Sequence, residues 1–218
     1  MKKIIMISVL VIFVLFFIFS ERTGNNKPVV QTYPWQVDIL ADGKSRVFGV
    51  VLDETSLKEV DVILNSVPEM VLFEANNKLS LEAYYKNVSL GGLIGSFIFT
   101  INASEQQLNK IKNESTSKKR AENKGVRYEL DKPASDNSKS LTVKNLIYIP
   151  TVQLDEKTIV LRFGEPTYKI KLKTKEAGWH YLYPEKGLDL IFKEEGKEVL
   201  QYALPENFNV LLEPLQVQ

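Results

Sequence analysis

The chain has 218 residues, 44% hydrophobic and 25% charged, which suits one ordinary globular domain or two small ones and excludes disordered and collagen-like chains. Lys and Arg number 28 against 27 acids, so no global field draws the chain to nucleic acid or to an acidic polymer. With no cysteine and a single histidine, His180, the sequence excludes disulfides, thiolate metal sites, cysteine nucleophiles, a lipidated cysteine and any site built on two histidines.

Lys2 and Lys3 precede an apolar run, Ile4 to Phe19, interrupted only by Ser8. At about 1.5 Å per residue it spans about 24 Å, short of a hydrocarbon core of about 30 Å but extendable at its edges by Met1 and Ser20. The run ends Phe19-Ser20-Glu21-Arg22 without the small residues of a cleavage site, so residues 1–20 are expected as an uncleaved signal anchor. The alternative is a cleaved signal and a free periplasmic protein. The positive-inside rule keeps the two lysines cytoplasmic and places residues 21–218 in the periplasm of a bacterium, as a single-pass inner-membrane protein.

Residues 21–32 are polar, carry Gly24 and Pro28, and read as a tether. A first α+β unit is expected over 33–130. Trp35, Val37 and Ile39 alternate with polar residues, Asp42-Gly43 offers a hairpin turn, and Arg46 to Val51 returns as a second strand. Ser56 and Glu59 have capping-box spacing, and Leu57, Val60 and Leu64 recur at helical spacing before Pro68, predicting a short helix from about 55 to 65. Leu79 to Lys86 and Gly95 to Ile101 read as strands. Ser104 and Gln107 cap a helix beginning near Glu105, but after Leu108 and Ile111 no large apolar residue appears until Val126. Lys110 to Arg127 carries seven cations against Glu114 and Glu122, and reads as a basic, exposed or disordered arm.

Residues 131–140, with Pro133 and several Ser, Asp and Asn, read as a loop before a second α+β unit over 141–218. Leu141 to Ile149 is a predicted strand. Leu154-Asp155-Glu156-Lys157-Thr158 echoes Leu52-Asp53-Glu54-Thr55-Ser56, and a short helix again runs to Gly164 before Pro166. Three strands follow: one with Trp179, Tyr181 and Tyr183 on a core-facing side, one with Leu188, Leu190 and Phe192, and one over Val199 to Leu204, with turns at Pro184–Gly187 and Glu195-Gly196. The pattern predicts an α+β fold with antiparallel strands, in two helix-plus-sheet units that a tandem duplication would explain.

Asp53, Glu54, Asp155 and Glu156 are the paired carboxylates available for general acid–base work, but acids just ahead of a helix also satisfy its free N–H groups and complement its dipole. His180 stands opposite Trp179 and Tyr181 with no nucleophile motif nearby, as a surface or satisfied residue does. No hydrolase, phosphate-loop, dinucleotide or zinc-protease fingerprint occurs, so no catalytic, cofactor-binding or metal residue is assigned. Tyrosines favour interfaces, and Tyr84 is the member of the aromatic set expected at the surface. Together with the Lys118-Lys119-Arg120 cluster it forms the candidate protein-interaction site.

Tyr33-Pro34-Trp35-Gln36, Leu81-Glu82-Ala83-Tyr84-Tyr85, Leu90-Gly91-Gly92-Leu93, Arg162-Phe163-Gly164-Glu165-Pro166 and Gly196-Lys197-Glu198-Val199-Leu200-Gln201-Tyr202 resemble an uncharacterised family of proteobacterial membrane-anchored periplasmic proteins, a likeness covering nearly all of 33–213. Phe163-Gly164-Glu165-Pro166 followed by Trp179 and Tyr181 is similar to the small outer-membrane lipoprotein A family and to β-lactamase-inhibitor-like folds. That second resemblance implies tandem helix-plus-sheet scaffolds that bind proteins in the envelope, although those lipoproteins carry a lipidated cysteine and this chain has none. The expectation is a non-enzymatic, membrane-anchored protein-interaction module with a membrane or periplasmic protein partner, membrane contact through residues 4–19, no nucleic acid and no cofactor. Two alternatives stand beside it. One is an apolar or lipid-like ligand in a cavity lined by Phe97, Phe99, Trp179 and Phe192; the other is an envelope hydrolase using the four acids.

Overall fold

The structure, a computed structural model, describes residues 33–115, 117–120, 125–172 and 177–216. The apolar run at 4–19, the tether at 21–32, and Glu122 and Lys124 of the basic stretch lie outside the described residues. Among the described residues no helix is long and apolar enough to cross a membrane.

Val37–Ile39 (β1) pairs antiparallel with Ser45–Val47 (β2) across the Asp42-Gly43 turn. The second strand expected over 46–51 is broken, because Phe48 and Gly49 both turn left-handed (φ 55° and 79°) and Val50–Val51 (β3) folds back on β2. Two successive positive φ values are what a tight hairpin requires, and at Phe48 they oppose its Cβ sterics. Packing holds the turn there: the Phe48 ring is 1% exposed and meets Phe97, Tyr148 and Tyr202.

Leu57–Leu64 (α1) begins at Ser56 in a complete capping box with Glu59, buries Leu57, Val60 and Leu64, and ends at Asn65 in the left-handed region. The chain then forms Glu69–Ala75 (β4), Lys78–Leu90 (β5), Leu93–Ile101 (β6), Glu105–Glu114 (α2), Lys118–Arg120 (β7) and Val126–Glu129 (β8). It continues through Lys132–Ser138 (α3), Val143–Pro150 (β9), Glu156–Phe163 (α4), Tyr168–Lys171 (β10), Gly178–Tyr183 (β11), Leu188–Lys193 (β12), Val199–Tyr202 (β13) and Asn209–Gln216 (α5). The fold is α+β: β1 to β3 make a small sheet, and the other ten strands make one antiparallel sheet in the order β10-β11-β12-β13-β9-β6-β5-β4-β8-β7. Pairing of β6 with β9, Ile98 opposite Ile147, joins residues 69–129 and 143–202 in this single sheet.

Three stretches differ from expectation. Residues 131–140 are not a loop, because Asp131 accepts the Ala134 N–H and caps α3 with a proline in its first turn. Part of the basic arm is ordered as β7, whose Lys118, Lys119 and Arg120 pair with Tyr128, Arg127 and Val126. β4, β10 and α5 also have no counterpart in the elements read from sequence.

The inner face of the large sheet carries the core, with Leu72, Leu81, Phe97, Phe99, Leu146, Tyr148, Leu190 and Leu200 all 1% exposed or less. α1, α4 and the small sheet cover it. Four buried tyrosines on this face direct their hydroxyls to a partner, which offsets the cost of taking a phenol out of water. Tyr85 donates to Asp61 (2.6 Å), Tyr181 to Glu156 (2.7 Å), Tyr183 to the Gly164 carbonyl (2.9 Å) and Tyr202 to the Pro34 carbonyl (2.7 Å).

Glu198, ahead of β13, is fully buried beneath the segment that leads to α4. Its Oε1 accepts the Leu154 N–H at 3.0 Å, and its Oε2 has no hydrogen-bond partner among the described residues. Burial holds its carboxyl above the ordinary range. A carboxyl whose folded pKa is raised stabilises the fold fully below its unfolded pKa, and that contribution is lost as pH rises through the folded value. Glu198→Gln keeps the acceptor and removes the ionisation. It is expected to raise stability at pH 7 by about 1 kcal/mol, roughly 3 °C in melting temperature, with the difference closing near pH 4. A lower melting temperature for the variant at pH 7 would contradict this assignment.

Candidate functional site

The sheet's outer face is covered unevenly. One cross-strand row runs Tyr168, Leu182, Asp189, Gln201, Ile147, Ile98, Tyr84, Glu69. Leu182 and Asp189 are 1% and 2% exposed, the next four residues are half-buried, and Glu69 is exposed. At the β10–β11 end, Leu212 and Leu215 of α5 line a cleft with Tyr168, Ile170 and Leu182. His180 and Asp189 are buried at this end, with His180 Nδ1 3.0 and 2.9 Å from the two Asp189 oxygens. His180 is thus a satisfied residue whose ring is held by a carboxylate, and burial raises the Asp189 pKa.

Beyond α5 the face opens into a lane three strands wide. The residues alternating with the buried inner positions are Ile94, Ser96, Ile98 and Thr100 on β6 and Asn145, Ile147 and Ile149 on β9, with Val199 and Gln201 on β13. None is charged in a chain that is 25% charged, and Ile94 is 49% exposed. Lys144 is the extra residue of the β9 irregularity, near enough to Asp53 to favour its ionised form. The far side of the lane is a charged border. Lys86 and Arg127 reach Glu69 at 2.7 and 3.3 Å, Lys119 pairs with Glu129, and the Arg127 guanidinium lies 5.2 Å from the Tyr84 ring centre.

Tyr84 sits on that border, half-buried, its hydroxyl bonded to Glu82; burial first and then the Glu82 carboxylate push its pKa up. The register puts Lys119 on the same face, opposite Arg127, whereas Lys118 and Arg120 alternate to the other face opposite Tyr128 and Val126. The structure therefore brings Tyr84 and Lys119 together through Arg127 and separates Lys118 and Arg120 from them.

The four acids do not share one role. Asp155 caps α4 by accepting the Thr158 N–H at 2.7 Å, and Glu156 bonds Lys169 and Tyr181, which lower its pKa. Glu54 pairs with Lys44 at 2.8 Å. Asp53 departs from the capping expectation, since Ser56 caps α1 instead; Asp53 takes a left-handed φ of 61°, its Oδ1 is buried without a hydrogen-bond partner, and burial raises its pKa. Phe97 and Phe99, expected around a cavity, pack ring to ring and against Phe48, Tyr85 and Tyr148. Trp179 and Phe192 lie away on β11 and β12, with the Lys169 ammonium 4.6 Å from the Trp179 ring centre. Among the described residues no group of three or more His, Asp or Glu is placed to hold a metal ion.

The lane residues went unread in the sequence, though a signal was present. Ile94, Ile98, Ile147 and Ile149 make β6 and β9 apolar at both parities, as strands covered on two faces are. No family model matches the chain, and no curated protein or solved structure matches it.

Proposed function

We propose that the protein is a non-enzymatic module of the bacterial cell envelope, anchored in the inner membrane through residues 4–19 with residues 21–218 in the periplasm, whose outer sheet face docks a membrane or periplasmic protein. The uncharged lane carries this reading. Depletion of charge with retained aliphatic side chains is the composition of an interface centre, and paired charges around it make the usual polar rim. Tyr84, Arg127 and Lys119 belong to that rim. On the same reading the chain is two related units, each containing an eight-residue, N-capped helix that a sheet tyrosine hydroxyl ties down, Tyr85 to Asp61 and Tyr181 to Glu156.

The test is a charge placed in the lane. Ile98 and Ile147 are half-buried on the sheet surface, where a lysine stem can lie along the strand with its ammonium in water, so Ile98→Lys combined with Ile147→Lys is expected to lower the melting temperature of the isolated protein by no more than about 3 °C. Partner binding is expected to weaken at least about 100-fold, because each lysine forfeits apolar burial and adds a charge to desolvate. The measurement is crosslinking in intact cells followed by affinity capture of the full-length protein and quantification of co-captured proteins. Equal recovery of every partner by parent and double variant would remove the lane from the account.

A further inference from the structure

We propose that, independently of the lane, the open edge strand β10 pairs with an extended segment of a partner protein in which acidic and apolar residues alternate.

β10 and β7 are the two edges of the large sheet. Pairing on the inner side of β10 decides which of its backbone groups stay open. The Glu194 N–H donates to the Ala177 carbonyl, so along β11 the residues in phase with Ala177 turn their backbone groups to β12, and Gly178, His180 and Leu182 turn theirs to β10. Opposite them stand Leu172, whose N–H donates to the Gly178 carbonyl at 3.0 Å, then Ile170 and Tyr168. The N–H and C=O groups of Lys169 and Lys171 therefore point out of the sheet, without a hydrogen-bond partner among the described residues.

These four groups are a template for one more strand, and the side chains beside them set its composition. Tyr168 and Ile170, 60% and 38% exposed, lie on the outer face and line the cleft with Leu182, Leu212 and Leu215. Lys169 and Lys171 lie on the opposite face. Glu156 engages Lys169 at 2.7 Å, whereas Lys171 has no ion pair among the described residues. An added strand thus sets apolar side chains beside Tyr168 and Ile170 and acids opposite the lysines, main-chain bonds holding it and alternate side chains selecting it. A second copy is disfavoured. Two-fold antiparallel pairing of β10 with itself sets Lys169 opposite Lys171, or one of them opposite its own copy, cation against cation. β7, the other edge, lacks the apolar half of this arrangement, since its three residues are all cations.

The probe is a synthetic capped octapeptide of alternating Val and Glu, with the Val–Lys octapeptide for comparison. Each is titrated into the full-length protein in detergent micelles and followed by the anisotropy of a dye at the peptide terminus. The Val–Glu peptide is expected to bind at least about tenfold more tightly than Val–Lys, and Lys171→Gln to weaken it about threefold. Backbone methylation identifies the mode of binding. Residues opposite Lys169 and Lys171 turn their N–H groups to β10, and the intervening residues turn theirs away. Methylating the Glu nitrogens is therefore expected to weaken binding at least about tenfold, and methylating the Val nitrogens less than about threefold. Equal loss from both methylated peptides, or no binding of the Val–Glu peptide at about 1 mM, would overturn strand addition. The combined Ile98→Lys and Ile147→Lys variant separates this edge from the lane. Unchanged affinity for the Val–Glu peptide is expected there, and its loss would place the peptide in the lane and overturn the edge site.

Discussion

Replacing Gly187 by alanine is expected to lower the melting temperature by about 10 °C. Gly187 ends the short turn Pro184–Lys186 with φ 63°, and its N–H donates to the Pro184 carbonyl at 3.0 Å. Its carbonyl in turn accepts the Ala203 N–H at 2.9 Å, drawing the end of β13 against the start of β12. A Cβ at this position falls inside the contact radius of the Ala203 carbonyl oxygen and 3.3 Å from Pro205 N. The left-handed conformation costs a non-glycine residue about 1–2 kcal/mol, and the forced separation of two buried backbone segments adds about 1–3 more. A sum near 4 kcal/mol corresponds to about 10 °C for a domain of this size. Thermal unfolding followed by circular dichroism measures it, and a change under 3 °C would show that the two segments separate freely.

Asp189→Ala is expected to destabilise by about 3 kcal/mol, whereas Asp189→Asn costs about 1. The alanine leaves His180 Nδ1 without its acceptor at a site where His180 is 7% exposed, and a buried polar group so orphaned bears its full desolvation penalty. Asparagine keeps an oxygen in place. Asp189 pairs across the sheet with Leu182, which lines the α5 cleft, so amide exchange over 209–216 is expected to quicken in the alanine variant alone. Equal protection of that helix in parent and both variants would mean that the pair does not support α5.

Local chemistry was the legible part of the fold. Ser56 with Glu59, Ser104 with Gln107, and Asp155 before an apolar pattern each mark a helix start by groups only three residues apart, and all three helices begin there. Alternation likewise revealed β5, β6, β9 and β11 to β13, whose inner positions are buried. What escaped depends on distant partners. β4 is a continuous apolar run, Met70 to Phe73, which periodicity cannot assign. β7 has no apolar residue and exists because β8 offers it a ladder. In α5, Leu211, Leu212 and Leu215 have helical spacing, but Pro214 within the same eight residues argues against a helix until the sheet supplies a surface.

The candidate site was half legible for a similar reason. Tyr84 is recognisable as an aromatic residue with a polar tip, and its strand parity places it on the outer face. Three consecutive cations cannot share a strand face, so reading Lys118, Lys119 and Arg120 as one patch implied a helix or coil that β7 is not. The lane is composed of residues from β6, β9 and β13, separated by up to about a hundred positions, and only the pairing of Ile98 with Ile147 and of Ile147 with Gln201 makes them one surface.

The most direct test of the docking lane is the thiol reactivity of Ile147→Cys in the otherwise cysteine-free chain, compared between purified full-length protein and intact cells, with Lys86→Cys on the exposed border as the reference. An open lane in the purified protein that a partner covers in the envelope predicts that labelling of position 147 relative to position 86 falls at least about tenfold in cells. The same ratio in both settings would contradict the docking lane.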